Sequence, residues 1–523
     1  MTISKSDYML FLRHPAWLWL KKHQPQRLPE ADANLQDIFA SGHQFEAYAE
    51  QLFLGAVKLG FAGYDQYLSL PEKTQALIDQ HTPCILQGRL EVDGLTCIFD
   101  VLERVDEQTF NLIEIKSSTK AKNVHLYDLA FQSLILERLG WQVGEISVLH
   151  ANKDYLRQGA IDPEQLCSRS EVTQEVKALL PQTKDLVELA KTVLKQPEPP
   201  SFSPSLVNMA GVKETNWLKE WLAIYLQELH PDLNKYNIYQ LAGAKAEQLG
   251  KLEKQGIQLL ADIPDELTLG TKQKLQIQTT RTAQPLINQL AVKDFLASLH
   301  YPLYFLDYET MTSVIPFFDG MRPYQDYPFQ YSLHLLREPA SKLEHFAYLH
   351  QDKSNPLPGL IAQLKQDLAE QGSILTWNMS YEKGCHQRLA DFCPEKAEFF
   401  EQVNERIVDL MTVFKNLDFV DRDFMGSASL KNVLPVLVPE LSYADLNVSD
   451  GMFARRLWTD TILLGKNKRE KEAILQDLLD YCTLDTYGMV RILELLERVV
   501  EVEKAEGVEK MKKVESATHT PDM

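Results

Sequence analysis

Two acidic residues in the C-terminal half of the chain have the spacing that binding of a divalent cation requires. Asp307 and Glu309 stand two residues apart in the run 304–310, whose apolar start at Tyr304 predicts a buried strand. Because side chains alternate along a strand, both carboxylates should project from the same face. Carboxylate oxygens are the ligands that Mg²⁺ and Mn²⁺ prefer, so this face is predicted to hold a cation.

Three further residues in the same half, Glu382, Tyr481 and Asp485, lie in sequence contexts that suit the same metal site. The apolar segment 374–377, the turn at Asn378 and the acid Glu382 predict a short strand that leads into a helix. Tyr481 and Asp485 fall in a helical pattern, where a spacing of four residues places the phenol and the carboxylate on the same side. Each pattern alone is common on solvated strands and helices, but their order along the chain favours a single metal site.

In this order, the five residues resemble the motifs of the DnaQ-like 3′–5′ exonucleases of the DEDDy type: a D-x-E strand, an acid after a WN-type turn, and Y-x-x-x-D. The resemblance implies an RNase H-like α/β domain in which two Mg²⁺ or Mn²⁺ ions activate a water and stabilise the leaving oxygen. It also implies that Tyr481 orients this water. The residues that would hold the ions are Asp307, Glu309, Glu382 and Asp485, and Glu382 replaces the aspartate usual in the family.

The stretch between these motifs also resembles the family. Residues 427–434 are similar to an S-L-K/D-x-L segment found near the family's active site, and this segment includes Lys431. Asp409 matches an acid that is common between the motifs. A helix-capping role for Asp409 is equally consistent with the sequence, because aspartate is a favoured helix cap.

A second set of residues with chemical potential lies in the first 165 positions. Two apolar runs, 97–105 and 110–115, flank a turn-like tetrapeptide and predict an antiparallel pair of strands. Such pairing would bring Asp100 beside Glu114, while Glu114 and Lys116, two residues apart, would share a face. A metal held by the two carboxylates would then lie next to an ammonium that can position water or stabilise charge at phosphorus.

This pattern resembles the PD-(D/E)XK nucleases, and within them the RecB-like branch. The branch has a glutamine on the following helix, for which Gln132 is the match, and an acid on the preceding helix, for which we choose Glu46 with Glu50 as the rival. The resemblance implies a restriction-endonuclease-like α/β domain. It also implies that Glu46, Asp100 and Glu114 hold one or two Mg²⁺ or Mn²⁺ ions in a second nuclease site.

Many RecB-like relatives hold an iron–sulfur cluster with one early and three later cysteines. Here His14 stands where relatives tend to have cysteine, and Cys167 is the only cysteine at a suitable distance after the motif. We therefore expect no iron–sulfur cluster. The six cysteines form no CxxC pair, which in so long a chain indicates reduced thiols and a cytoplasmic location.

Length and composition predict a multidomain protein, because 523 residues with 45% hydrophobic content can bury several cores. The alternation of helical and strand patterns predicts an α/β class. A proline-rich spacer ends near residue 200, and the helical pattern that follows resembles a helix-hairpin-helix unit with its tight turn at Gly256. The expected layout is a RecB-like domain at 1–165, a helical connector with this candidate hairpin at 166–297, a DnaQ-like domain at 298–500 and a flexible tail at 501–523.

The net charge of −19 argues against a passive high-affinity DNA binder, because such affinity rests on Lys and Arg. It is compatible with a metal nuclease, whose clustered acids hold the cations that meet the phosphate. No apolar stretch is long enough to predict a membrane span. The expected partner is nucleic acid, with single-stranded ends favoured and the choice between DNA and RNA left open. Protein partners are left unknown by the sequence.

As a whole, the chain resembles a bacterial family with a domain of unknown function, in which a RecB-like nuclease domain precedes a DnaQ-like exonuclease domain. The expected function is metal-dependent cleavage of phosphodiesters, with 3′–5′ exonuclease activity in the C-terminal half. Two alternatives remain open from the sequence. The chain could be a catalytically reduced nucleic-acid-binding scaffold or defence sensor, or a hydrolase of short oligonucleotides or nucleotides.

Overall fold

In the computed structural model, the chain is a mixed α/β protein, as the sequence predicts. The structure describes residues 2–30, 33–213, 215–448 and 450–517, without the side chains of 33–39, 445 and 502–517. Its contacts divide the chain into two compact units, each built from three segments. Unit 1 consists of Met1–Lys235, Ala244–Ile257 and Ser313–Gln325, and unit 2 of Tyr236–Gly243, Gln258–Thr312 and Asp326–Met523.

Unit 1 combines strands of up to 10 residues with α-helices of up to 23 residues. Its strands are β1 (Ile3–Ser4), β2 (Val57–Lys58), β3 (Cys84–Leu86), β4 (Arg89–Val92), β5 (Leu95–Ile98), β6 (Val101–Arg104), β7 (Thr109–Lys116), β8 (Gln142–Ala151) and β9 (Cys167–Glu171). Its α-helices are α1 (Lys5–Arg13), α2 (Pro15–His23), α3 (Ala33–Ala49), α4 (Tyr64–Asp79), α5 (Asn123–Arg138), α6 (Pro163–Leu166), α7 (Thr173–Lys195), α8 (Trp217–Ile224) and α9 (Ala246–Lys254).

The main sheet of unit 1 has the strand order β2-β3-β6-β7-β8-β9, and a smaller sheet has the order β1-β5-β4. β6 pairs antiparallel with β7, with Val101 opposite Ile113, which confirms the predicted pairing. The apolar run 97–105 is not one strand, however. It is split between β5 and β6, which belong to different sheets, and Asp100 lies at the break.

The two faces of β7 are covered by different helices. Ile113 and Ile115 pack with Phe45 of α3 in a buried apolar cluster. Glu114, on the opposite face because side chains alternate, receives a hydrogen bond from Gln132 of α5. The sheet therefore presents the E-x-K motif to α5.

Unit 2 contains longer strands and a long C-terminal helix. Its strands are β10 (Leu286–Ile287), β11 (Leu303–Met311), β12 (Tyr327–Leu336), β13 (Glu344–Leu349), β14 (Ser373–Thr376), β15 (Ile407–Asp409) and β16 (Phe419–Val420). Its α-helices are α10 (Thr271–Thr282), α11 (Gln289–Ala297), α12 (Leu357–Asp367), α13 (Met379–Phe392), α14 (Ala397–Glu405), α15 (Thr412–Lys415), α16 (Leu430–Leu437), α17 (Gly451–Trp458) and α18 (Lys471–Ala517).

The main sheet of unit 2 has the strand order β13-β12-β11-β14-β15. β11 is central, antiparallel to β12 and parallel to β14, and β14 is parallel to β15. The strand bulges between Glu309 and Thr310, at the carboxyl end where parallel sheets form their sites. The strand that carries the D-x-E motif thus lies in the middle of the sheet, and α18 packs against it.

The segment predicted as a helical connector, 166–297, contributes to both units. Gly256 has a φ of 72°, as a tight turn after α9 requires. The turn is followed by a single 3-10 turn, Leu260–Asp262, and α10 begins only at Thr271. At the C terminus, α18 continues to Ala517 through most of the predicted tail, and residues 518–523 lie outside the described residues.

Gly372 sets the start of β14 and gives a test of the fold. Its φ is 96°, and a Cβ atom there would lie 2.1 Å from the carbonyl oxygen of Pro302, next to β11. We expect Gly372→Ala to lower stability by about 3 kcal/mol, since backbone strain and a backbone collision add. Urea denaturation would measure the loss. Gly270→Ala, at an open position, is the control, and equal midpoints for both variants would contradict this packing.

Among the described helices, none combines the length and apolar composition needed to cross a membrane.

Candidate functional site

The D-x-E strand places its two carboxylates as predicted. Asp307 and Glu309 project from the same face of β11, and one ligand atom from each lies within 4.8 Å of the other and of the Cys482 sulfur. Cys482 Sγ is 3.7 Å from Asp307 Oδ2. Glu309 is only 7% exposed, so two acids and a thiol share a largely buried space.

The helix α18 brings Asp485 to the same place. The negative charge of Asp485 acts on both Asp307 and Glu309, which makes the three acids electrostatic neighbours. Asp485 accepts a hydrogen bond from the Tyr443 hydroxyl, and the nearby Tyr481 hydroxyl also lowers the pKa of Asp485. The centres of the two phenol rings lie 6.0 Å apart.

Glu382 lies in the first turn of α13, where the charge of Asp307 acts on it. It is 1% exposed, and its Oε2 is buried with no hydrogen-bond partner among the described residues. Asp409 at the end of β15 accepts the backbone N–H of Met411 at 3.1 Å. Burial raises the pKa of Asp409, and the nearby N–H of Met379, at the start of α13, opposes this rise. A carboxylate at a helix N-terminus is stabilising, so Asp409 has a capping role that orients α13.

A buried contact also ties α13 to the motif strand. The Tyr308 hydroxyl and His386 Nε2 are 3.0 Å apart, and His386 Nδ1 is 2.7 Å from Asn404 Oδ1 on α14. Since His386 is one helical turn after Glu382, this chain of hydrogen bonds fixes the helix against β11.

Burial dominates the acid–base properties of the group. Burial and the charge of Asp485 raise the pKa of Asp307 well above its ordinary value, and burial with Asp307 does the same for the pKa of Glu309. Burial raises the pKa of Glu382 to about 9, and the charge of Asp307 contributes. For Asp485, burial raises the pKa to about 6, opposed by the hydrogen bond from Tyr443.

Two basic residues offset part of this negative charge. Lys431 at the start of α16 lowers the pKa of Glu309 and of Asp485, and its ammonium lies 5.4 Å from the centre of the Tyr481 ring. Arg455 on α17 also acts on Glu309, and its guanidinium donates to the Thr312 hydroxyl at 2.8 Å. These side chains could meet the phosphate of a substrate.

Of the five residues singled out in the C-terminal half, the structure places Asp307 and Glu309 within 4.8 Å of each other. Asp485 and Glu382 interact electrostatically with Asp307, and Tyr481 lies near Asp485. Sequence reasoning missed Cys482, Tyr443 and Arg455. Cys482 is adjacent to Tyr481 and could have been noticed from that position alone. Tyr443 reaches the acids from the segment before α17, and Arg455 reaches them from α17 itself. No local spacing in the sequence indicates such contacts.

In unit 1, Asp100 and Glu114 also come together as predicted. Asp100 Oδ2 accepts the backbone N–H of Ile115 at 2.7 Å, beside Glu114. Burial and the charge of Glu114 raise the pKa of Asp100 to about 7. Burial would raise the pKa of Glu114 as well, but the ammonium groups of Lys116 and Lys5 outweigh it and hold this pKa below its usual range.

Glu114 has partners that sequence reasoning both found and missed. Lys116 Nζ donates to Glu114 Oε1 at 2.6 Å, and Gln132 Nε2 donates to Oε2 at 2.7 Å. The unexpected members are Lys5, whose Nζ lies 2.8 Å from Glu114 Oε1, and Asp128. Asp128 precedes Gln132 by four residues on α5, a spacing visible in the sequence, whereas nothing near Lys5 indicates its role.

The choice between Glu46 and Glu50 can be described from their partners. Glu46 accepts a hydrogen bond from the Gln87 side chain, and Glu50 pairs with Lys58 at 2.5 Å. Burial and Glu50 raise the pKa of Glu46, and Glu114 adds to this rise. Of the two acids, Glu46 is therefore the one whose pKa is shown to respond to the charge of Glu114. Its hydrogen-bond donor, the Gln87 side chain, is uncharged.

His14, at the position where RecB-like relatives tend to have cysteine, has a packing role. Its Nδ1 accepts the Ala16 N–H at the start of α2, and its Nε2–H donates to the Ser203 carbonyl at 3.0 Å. The ring stacks on Trp221 with the centres 3.9 Å apart, and burial lowers the pKa of His14 to about 4.

A family model described as a domain of unknown function (DUF2779) matches residues 304–429. The match runs from the second residue of β11 to the residue before α16, and so includes Asp307, Glu309 and Glu382. No curated protein matches the sequence.

Proposed function

We propose that the protein is a metal-dependent nuclease whose unit 2 degrades single-stranded ends of DNA or RNA from 3′ to 5′. The observation that carries the proposal is the buried acid pair Asp307 and Glu309, whose ligand atoms lie within 4.8 Å of each other. Asp485 and Glu382 lie near enough to interact electrostatically with Asp307. Burying several negative charges together is very unfavourable, so these acids must be neutralised either by protons, as their raised pKa values indicate, or by a bound cation. The mixed sheet with the D-x-E strand at its centre supports an RNase H-like domain.

The residues present fit a divalent metal. The group offers carboxylate oxygens from three separate elements, β11, α13 and α18, and Glu382 Oε2 is buried without a described partner. Asp307, Glu309, Glu382 and Asp485 would hold Mg²⁺ or Mn²⁺. When bound, the ions supply activation of a water and stabilisation of charge on the leaving oxygen.

The remaining side chains bind and orient. The Tyr443 hydroxyl donates to Asp485 and fixes the orientation of that carboxylate, and the Tyr481 hydroxyl lies nearby. Tyr481 is also the group that would orient the attacking water. Lys431, near the Tyr481 ring, and Arg455, near Glu309, provide positive charge for the substrate phosphate.

Unit 1 enters the proposal as a second nuclease-type site with a restriction-endonuclease-like core, built on Asp100, Glu114, Lys116 and Gln132. The pairing of β6 with β7 and the position of α5 support this assignment. Its donor set does not fit a divalent metal as it stands, because Lys5 and Lys116 already contact Glu114. We therefore derive no metal-dependent step for this site.

The proposal is tested by incubating the protein with single and double strands labelled at either the 5′ or the 3′ end, with Mn²⁺ or with EDTA. A 3′–5′ exonuclease shortens 5′-labelled single strands stepwise and releases a 3′ label at once as a mononucleotide. This activity should disappear in EDTA. Internal cuts alone, or degradation that persists in EDTA, would refute the proposal for unit 2.

Tyr481 gives a prediction specific to this chemistry. We expect Tyr481→Phe to lower kcat by about 10- to 100-fold with little change in KM, because the hydroxyl acts on the water and on Asp485. Tyr443→Phe removes only a hydrogen bond to Asp485 and should lower kcat by about tenfold or less. Single-turnover kinetics would measure both. A larger effect at Tyr443 than at Tyr481 would contradict the role given to Tyr481.

One alternative is a scaffold or sensor that has lost catalysis, and the ammonium contacts in unit 1 favour it for that half of the chain. Under our proposal, Mn²⁺ should raise the melting temperature, since a ligand bound by the native state stabilises it. No Mn²⁺-dependent shift would favour the scaffold.

A second alternative changes the substrate. The net charge of −19 favours short oligonucleotides or nucleotides over long polymers, because a negative surface repels a polyanion. Turnover measured on strands of increasing length separates the two. A kcat/KM that falls steeply with length would favour the short substrates. The cytoplasmic location expected from the sequence is part of our main proposal, the metal-dependent nuclease.

A further inference from the structure

Lys5 is distant in sequence from Glu114 and Asp128 but contacts both of these acids in unit 1. Its Nζ is 2.8 Å from Glu114 Oε1 and 3.5 Å from Asp128 Oδ1. Lys116 Nζ is 2.6 Å from the same Glu114 oxygen and 3.0 Å from Asp128 Oδ2. Two ammonium groups therefore bridge the same pair of carboxylates.

Gln132 also donates to both of these carboxylates. Gln132 Nε2 donates to Glu114 Oε2 at 2.7 Å and to Asp128 Oδ1 at 2.9 Å. Each oxygen of Glu114 and of Asp128 thus has a hydrogen-bond or ion-pair donor. Asp100, the third acid, accepts the Ile115 N–H.

Lys5 is held in this position by the fold. Ile3 is completely buried, and β1 pairs with β5, so the backbone just before Lys5 is fixed. Ser4 caps α1 through a reciprocal capping box with Asp7. Asp7 is itself held by two lysines of α2, Lys21 at 3.0 Å and Lys22 at 2.6 Å. Only about a fifth of the Lys5 side chain is exposed.

This arrangement conflicts with metal binding on grounds of charge and coordination. A divalent cation needs several oxygen ligands, and those of Glu114 and Asp128 already accept from other groups. It would also lie close to two ammonium groups, whose repulsion is strong in a buried site. We infer that Lys5 takes the place of a divalent cation in unit 1 and excludes it. The inference rests on the proposed nuclease-type site of that unit.

Lys5 is accordingly a counter-ion built into the chain. It neutralises acids that a metal would otherwise neutralise, so unit 1 keeps its nuclease-type arrangement without bound metal. The metal-dependent chemistry of the protein then belongs to unit 2.

The test counts bound Mn²⁺ by the loss of the free-ion signal in electron paramagnetic resonance. The full-length chain carries Asp307→Asn and Asp485→Asn, so that the main ligands of unit 2 are removed. Adding Lys5→Met should create one further Mn²⁺ site per chain, with a Kd at least about tenfold below that of any remaining site. Lys5→Arg, which keeps the charge, and Lys73→Met, on the exposed face of α4, should leave the count unchanged. An unchanged count in folded Lys5→Met overturns the inference.

A second variant keeps the test decisive if Lys5→Met fails to fold. With Lys5 intact, Glu114→Gln in the same background should not change the number of bound Mn²⁺ ions. A loss of one ion would show that unit 1 binds metal beside Lys5 and would overturn the inference. Both counts are made in the background that carries Asp307→Asn and Asp485→Asn. Failure of the exonuclease proposal, seen as an absence of nuclease activity in the unmodified chain, is therefore a separate outcome.

Discussion

Replacing Asp307 by asparagine should reduce the nuclease activity of the protein by about 1,000-fold or more, because losing about 4 kcal/mol of metal-derived stabilisation corresponds to that factor. Asp307 is the residue on which the other acids converge: its charge acts on Glu309 and Glu382, and its own pKa responds to Asp485. Asparagine keeps the volume and removes the negative charge. The measurement is the initial rate on a 5′-labelled single strand with Mn²⁺.

The matched control is Asp294→Asn on α11, an exposed aspartate of the same unit. It should retain the wild-type rate. Asp307→Asn should remain folded and, without metal, should be at least as stable as the wild type, because it relieves repulsion among buried acids. If the folded Asp307→Asn variant keeps more than about a tenth of the activity, a tenth being about 1.4 kcal/mol, then Asp307 is not a metal ligand in catalysis.

Without metal, the stability of the protein should fall as the pH rises from about 5 to about 9. The cause is the buried Glu382, whose pKa is raised from its ordinary 4.5 to about 9. An unfolded chain releases this proton near pH 4.5, whereas the folded chain retains it up to about pH 9. Between these values the folded state binds more protons, so each step up in pH lowers the free energy of unfolding, by a few kcal/mol over the range.

Thermal denaturation in EDTA at several pH values measures this slope. Glu382→Gln, which cannot ionise, should give a shallower slope and higher stability at pH 9 than the wild type. Saturating Mn²⁺ should also reduce the slope, because the metal favours the ionised carboxylates. Glu398→Gln, an exposed acid of α14, is the control and should follow the wild type. Parallel curves for wild type and Glu382→Gln would contradict the burial of this acid.

Patterns with local spacing predicted the positions of the C-terminal acids well. The alternation around Asp307 and the strand-turn-helix pattern before Glu382 correspond to β11, β14 and α13, with small shifts at their ends. These patterns are reliable because burial on one face of a strand or helix imposes a short period on the sequence. The pairing of β6 with β7 was accessible for the same reason.

Contacts made across long sequence distances could not be predicted in this way. Lys5 meets Glu114 across more than a hundred residues, and Tyr443 meets Asp485 from a separate element. The break at Asp100 between β5 and β6 was also missed, because the apolar run gives no sign that its halves join different sheets. Such features depend on tertiary packing, which leaves no period in the sequence.

The most direct test of the central claim, that the buried acids of unit 2 hold cations for 3′–5′ cleavage, is the product released from a 5′-labelled single strand. Wild-type protein and the Asp307→Asn, Asp485→Asn double variant are compared at equal concentration with Mn²⁺. We predict a ladder of progressively shorter labelled strands and free mononucleotides with the wild type, and an intact strand with the folded double variant. Equal degradation by both proteins, or none by the wild type, would contradict the claim.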